Sequence, residues 1–428
     1  MRILFVSHGF PPHQEAGVEI YTAALADSLA RSGDEPYVFA SSYTSDGAVD
    51  AEEMRGSVPV RRFFVPRRQI RLRFHDDDVE RAFLDHLDAV RPDVVHVQHL
   101  HSLTVPLISV VVRRGIPVVL SLHDFWFLCP AFQRYSQASH PLRGRWAGLD
   151  CYAHLELRPR MLAGMVVRRT LVRRARLHLE RARLMRGELA AANAIVVPSR
   201  FVWSRFASAG VDLSRASLIS HGIEALSKTE RSIANTGVRV GYLGGIVRSK
   251  GVDLLARAFN AIDEPTASLE LCGPEIDPAF ARRIRRIAAR DPRVSLHPPI
   301  PHVEVGRFLA GIDVLVVPSR LDESFSIVAR EALAANVPVV ASDSGALSEV
   351  VEPGQNGLLF ERGNAHDLQR KLEPLVREPR RIATLRTGSH VKTMDEHARE
   401  IRDVYQRVRQ PASVVGRDPS GTVGSLLK

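Results

Sequence analysis

Short runs of apolar, mostly β-branched residues recur along the chain and alternate with longer stretches of helical period. In the first half the runs fall at residues 3–6, 37–40, 60–64, 94–98, 118–122 and 194–197, with helical patterns such as 19–32 and 79–90 between them. A second series follows at 239–243, 269–272, 294–296, 314–317, 337–341 and 357–360. Strand and helix in turn imply parallel sheets joined by right-handed crossovers. At 428 residues the chain is too long for one compact core, so the two series read as two α/β domains. The polar stretch "EALSKTERSIANTG" (224–237) reads as the linker between a domain at 1–223 and one at 238–394. Residues 411–428 read as a disordered tail. Two such domains leave a cleft between their carboxyl edges, and in an open α/β sheet ligands bind at that edge.

Composition narrows the functional classes. An apolar content of 45% and a charged content of 25% are those of an ordinary globular protein. No apolar run approaches the length of roughly 20 residues that spans a bilayer. The opening "MRILFVSHGFPP" is too short for a signal peptide and reads as a buried first strand, so a cytoplasmic location is expected. Three cysteines, Cys129, Cys151 and Cys272, lack metal spacing and argue against a disulfide framework. The formal charge of +10 is concentrated in arginine. "RRFFVPRRQIRLRF" (61–74) is one cluster, and 158–186 is another, with Glu180 as its one acid. Such segments are either solvated helix faces or docking surfaces for anionic lipid head groups, the latter placing the protein peripherally on the inner face of the plasma membrane. No nucleic-acid-binding module accompanies the charge, which argues against nucleic acid as a partner.

The loops after the strands carry the chemistry. "DESFSIVAREALAANVPVVASDSG" (322–345) reads as loop, helix and strand, with Glu323 on the loop and Glu331 in the first turns of the helix. "GGIVRSKG" (244–251) places Arg248 and Lys250 on a glycine-rich turn, where a cation can hold a diphosphate or simply face solvent. It lacks the spacing of a P-loop. Gly17 stands ahead of a helix, where backbone N–H groups can approach a phosphate, although turns often carry glycine there. "LSLHDFWFLCP" (120–130) puts His123 and Asp124 at a strand's carboxyl end, in a functional or a structural role. The acid run "HDDDVE" (75–80) reads as a solvated helix N-terminus and not as a metal site.

The segment "PSRLDESFSIVAREALAANVPVVASDSGALSEVVEPGQNGLLF" resembles the region of two glutamates spaced by seven residues in retaining GT-B glycosyltransferases, the bacterial group 1 or family-four type. "DVVHVQHL" (93–100), "LHDFWFLCP", "LISHGIE" (218–224), "KGVDLLARAF" (250–259), "LCGPE" (271–275) and "DEHAREIRDVY" (395–405) agree in order and spacing. The resemblance implies two Rossmann-like domains facing across a cleft, with a C-terminal helix at about 395–410 returning to the first domain. It implies transfer of a sugar from a UDP- or GDP-sugar, with retention of configuration and without metal or cofactor. The implied acceptor is a lipid-linked saccharide, polysaccharide or glycolipid.

Carried onto this sequence, the resemblance assigns Glu331 to the donor's ribose hydroxyls and Glu323 to the donor sugar or its phosphates. The N–H groups of Phe325, Ser326 and Ile327 would hold oxygens at the helix start. His123 would meet the transferred sugar, with Asp124 beside it. Lys250 would neutralise the leaving diphosphate, with Gly17 approaching it from the other domain. Relatives carry an arginine where this chain has Gly245, a gap that Arg248 could fill. Ser324 and Ser326 stand where relatives have glycine, and Ala16-Gly17 where they have Gly-Gly. An epimerase-like or phosphorylase activity, or a non-catalytic sugar-binding role, are the alternatives on such a fold.

Overall fold

The computed structural model describes residues 1–44, 50–66, 75–129, 165–226, 237–385 and 390–410. Its elements form two sheets. The first contains β1 (Arg2–Ser7), β2 (Glu35–Thr44), β3 (Asp50–Arg55), β4 (Val58–Pro66), β5 (Val94–Val97), β6 (Val118–Ser121), β7 (Ala194–Val197) and β8 (Ala216–Leu218). Their order is β3-β4-β2-β1-β5-β6-β7-β8, parallel except where β3 pairs antiparallel with β4. The second contains β9 (Arg239–Leu243), β10 (Ser268–Cys272), β11 (Val294–His297), β12 (Val314–Val317), β13 (Val339–Ser342) and β14 (Gly357–Phe360). All its pairings are parallel, in the order β11-β10-β9-β12-β13-β14. Strands 3-2-1-4-5-6 of a doubly wound sheet follow that order, and its direction reverses between β9 and β12.

The predicted strands are present to within a few residues, because four- and five-residue runs such as Val314–Val317 are buried along their whole length. Fully apolar strands of this kind are what a sheet covered on both faces requires. Two strands escape the sequence reading. β3 is the polar edge "DAEEMR", so the first sheet is not purely parallel as expected. Its carboxylates hold the neighbouring strand: Asp50 pairs with Arg61 and Glu53 with the fully buried Arg62. Arg62 also donates to the Phe10 carbonyl, so two arginines of the first basic cluster are structural; its remainder, 67–74, lies outside the described residues. The short strand β8 is half exposed and lacks an apolar signature.

Most of the linker (227–236) and the tail at 411–428 also lie outside the described residues. The chain leaves the first domain at Gly222-Ile223 and returns to it at Thr393, and these segments touch. Ile223 N–H donates to the Lys392 carbonyl at 3.0 Å, and Met394 N–H to the Ile223 carbonyl at 2.8 Å. A Cβ at position 222 would overlap the Thr393 carbonyl oxygen, which is why glycine stands there. The returning helix, Met394–Arg409, opens with a capping box in which Thr393 and Glu396 satisfy each other's backbone N–H groups. It packs into the apolar cluster beneath the helix Gly17–Arg31. Buried hydrogen bonds fix its seat: His397 Nδ1 donates to the Ser220 carbonyl, and its Nε2 accepts from the Tyr21 hydroxyl at 2.6 Å.

The second basic cluster forms part of a helix, Met165–Ala191. Its C-terminal half turns His178, Arg181, Met185, Glu188 and Leu189 into the first domain. Arg181 lies over the Trp126 ring, 4.9 Å from its centroid, while Arg176, Arg183 and Arg186 face solvent. Residues 158–164, and the side chains of Arg168, Arg169, Arg173 and Arg174, lie outside the description. No helix among the described residues is long and apolar enough to cross a membrane. At the other acid-rich site, Asp76 caps the helix Asp77–Val90 by accepting from two backbone N–H groups, the helix N-terminus that the sequence predicts.

Candidate active site

A cavity of about 360 Å³ lies at the reversal of strand order in the second sheet, between the loops after β9 and β12, and is closed from the opposite side by the first domain. The β9 loop ends at Gly251, whose φ of +71° is open to glycine and whose missing Cβ lets the turn lie against the Pro318 carbonyl. That close approach sets Lys250 beside the β12 loop. Lys250 Nζ donates to Glu323 Oε1 at 2.7 Å, and the Ser319 hydroxyl donates to the same oxygen. Burial pushes the Glu323 carboxyl up, but the Lys250 charge and the two donors outweigh it and hold the group below its ordinary range. Glu323 is therefore ionised, and its backbone carbonyl is fixed by the Ala346 N–H at 2.8 Å.

Glu331 lies in the helix Ile327–Ala334 and is almost fully buried. His302 Nε2 donates to its Oε1 at 2.6 Å, while His302 Nδ1 faces Glu224 Oε2 at 3.5 Å. Hydrogen bonds from the imidazole to Glu224 and Glu331 push the His302 pKa up to about 9 against the opposing effect of burial. An imidazolium thus ties the helix carboxylate to the residue where the chain leaves the first domain. At the helix start Ser326 takes a left-handed φ of +63°, a strained conformation for a residue with a side chain. Beneath it Arg330 donates to the Phe325 carbonyl, and its guanidinium lies 3.6 Å from the Phe325 ring centroid. Burial lowers the Arg330 pKa to about 10, which leaves the group charged at neutral pH.

The first domain contributes Gly17, Tyr21, His123 and His221 to the cavity. His123 donates from Nε2 to Gln98 Oε1 at 2.7 Å, and burial brings its pKa down to about 3, so its ring is neutral. The structure therefore gathers Gly17, His123, Lys250, Glu323, Phe325, Ser326, Ile327 and Glu331 around one space. It does not bring Asp124 or Arg248 to the cavity lining. Asp124 accepts from the Trp126 N–H at 2.8 Å and faces His99, and Arg248 is exposed with its carbonyl bonded to Arg320. Position 245 faces Ile276. Sequence reasoning missed His302, Ser319, Tyr21 and His221. Of these, Ser319 and His302 stand shortly after a strand's carboxyl end, which is a positional signal.

Two family profiles match the chain: Glycosyltransferase Family 4 over residues 16–225 and Glycosyl transferases group 1 over residues 237–378. The chain belongs to the group 1 glycosyltransferases. A D-inositol 3-phosphate glycosyltransferase of Xylanimonas cellulosilytica is 29% identical over 228 residues, 47% of this chain and 54% of the relative. An uncharacterised glycosyltransferase of Methanocaldococcus jannaschii is 33% identical over 165 residues, 38% of this chain and 44% of the relative. The chain thus spans about half the length of the curated relatives it matches. Among solved structures, a sucrose-phosphate synthase from Thermosynechococcus elongatus superposes with a TM-score of 0.69 at 20% identity, covering 95% of this chain and 96% of its own. Anabaena HepE, solved in complex with UDP and glucose, superposes with a TM-score of 0.65 at 17% identity, covering 94% and 99%. The fold of this group 1 glycosyltransferase is accordingly GT-B.

Proposed function

We propose that the protein transfers a sugar from a nucleotide-sugar to a hydroxyl group of a saccharide or lipid-linked acceptor, with retention of configuration and without metal. The observation that carries this reading is the pairing of Lys250 with Glu323 and of His302 with Glu331 around one cavity, at the strand-order reversal. The Glu331 carboxylate suits ribose hydroxyls, since a carboxylate accepts from both. Lys250 suits the diphosphate. As the bond from the anomeric carbon to the phosphate oxygen breaks, negative charge grows on the leaving group, and a cation already in place stabilises it. The acceptor oxygen bonds to that carbon from the same face, and its proton passes to the departing phosphate oxygen. Neutral His123, its Nε2 held by Gln98, faces the sugar from the first domain. Positive charge for the leaving group comes from Lys250 and the start of the helix Ile327–Ala334.

HepE was solved with UDP, which makes UDP-sugars the first donors to try. Calorimetry with UDP-, GDP- and ADP-sugars tests the reading: one class is expected to bind, and failure of all three to bind overturns it. Proton NMR of the first-formed product then reads the anomeric configuration. For a lipid-held acceptor, the solvent face bearing Arg176, Arg183 and Arg186 supports docking on anionic lipid. Co-sedimentation with anionic vesicles, lost in high salt or with neutral lipid, is the expected result.

A further inference from the structure

His221 precedes the glycine at which the chain leaves the first domain, so its backbone is held by the contact of Gly222 with Thr393. Its side chain is only 3% exposed, yet it forms part of the cavity wall. The ring lies 4.1 Å from Tyr21, 4.8 Å from His123 and 4.8 Å from Phe325, centroid to centroid. Its polar neighbours are already engaged: Tyr21 with His397, and His123 with Gln98. Neither nitrogen of His221 has a hydrogen-bond partner among the described residues. Buried polar atoms are almost always bonded, and exceptions in a cavity wall point to a ligand. Burial and the neighbouring His123 also push the His221 pKa well below its ordinary value, so the ring is neutral, with one donor and one acceptor.

That valence does not suit a diphosphate, which only accepts and favours a cation. It suits a hydroxyl group, which donates and accepts. The place agrees. Glu331, His302, Lys250 and Glu323 line the cavity from the second domain, and His221 stands on the first-domain wall beside His123 and Phe325. We propose that His221 is a substrate-contacting residue that exchanges hydrogen bonds with a hydroxyl of the donor's sugar, and so favours the intact nucleotide-sugar over the nucleoside diphosphate. This inference rests on the donor reading above.

Calorimetry on the full chain separates the two, using UDP with UDP-glucose, GDP with GDP-mannose, and ADP with ADP-glucose. His221→Phe, which keeps a ring without polar atoms, should leave affinity for the bound nucleoside diphosphate within about two-fold and weaken its nucleotide-sugar ~10-fold. His221→Asn, which restores a donor and an acceptor, should recover part of that loss. Equal weakening of both ligands, no weakening of either, or loss of all binding in both variants overturns the proposal while the donor reading stands on the unsubstituted protein. Failure of that protein to bind any of the six compounds overturns both.

Discussion

Single side chains test whether this cavity holds the nucleotide-sugar proposed for it. Glu331→Gln removes a buried charged acceptor from the ribose end, and donor affinity should fall by about 1.5–3 kcal/mol with the fold retained; unchanged affinity by calorimetry would remove Glu331 from the site. His302 gives that carboxylate a pH dependence. Its pKa in the folded protein, about 9, stands above the ordinary 6.5, through Glu224 and Glu331. The stabilisation it brings is therefore complete below about pH 6.5 and is lost as pH rises through about 9. Donor affinity should weaken over that window, and His302→Gln should flatten the profile. Lys250→Ala should lower kcat by roughly 10²-fold while changing donor affinity less, since its charge matters most as the diphosphate departs. Single-turnover measurement with the best donor separates the two effects. The residues named here differ in how legible they were. Glu323 and Glu331 were visible because a loop and a helix start fix their spacing in the chain. His221 and His302 owe their roles to partners that folding brings from far away; the place of His302 after a strand was a pointer, and nothing local to "ISHGIE" announces His221.

At the scale of elements, the helix Ile327–Ala334 matters through its start. Its opening loop is held from beneath by Arg330, which reaches the carbonyls of Phe325 and Ser326 and covers the Phe325 ring. Arg330→Met keeps the length of the side chain and removes its donors. Two carbonyls lose their partner, so stability should drop by about 1–3 kcal/mol. The donor KM should rise as well, although Arg330 lies outside the cavity lining. Unfolding by denaturant and steady-state kinetics on the same variant check both effects, and a change in neither would mean that the loop holds its shape unaided. The elements that the sequence revealed were those whose burial is uniform, such as the strands Val314–Val317 and Ala194–Val197. The edge strand Asp50–Arg55 stayed hidden because its alternation is polar on both faces and its stability comes from pairing with arginines of the next strand. The arginine helix was half legible. Its sequence allowed a solvated face or a lipid-docking surface, and the burial of His178, Arg181 and Glu188 against the first domain could not be told from solvated charge.

For the whole molecule, the cavity proposed to bind the donor is lined by residues of both domains, so its integrity depends on how they are joined. Several contacts bridge them: Ser199 donates to the Ser324 carbonyl at 2.8 Å, the Arg200 and Phe201 N–H groups donate to Glu349, and Arg205 pairs with Asp322. The chain itself crosses at Gly222-Ile223 and Lys392-Thr393, where a pair of backbone hydrogen bonds holds the two segments together. Gly222→Ala puts a methyl group against a backbone carbonyl that cannot rotate away, so the segments must part. Separation there would draw Glu224 from His302 and loosen the returning helix, whose His397 bonds Tyr21 in the cavity wall. Each sheet has an apolar core of its own, although the returning helix completes one face of the first. The expected result in calorimetry is a thermal transition that splits or broadens as the domains uncouple, with far-ultraviolet circular dichroism retained. Donor binding should fall in the same variant, because Gly17, His123 and His221 no longer stand opposite Lys250 and Glu323. A single transition at the original temperature, with donor affinity intact, would show that the two domains hold their places through their facing surfaces alone.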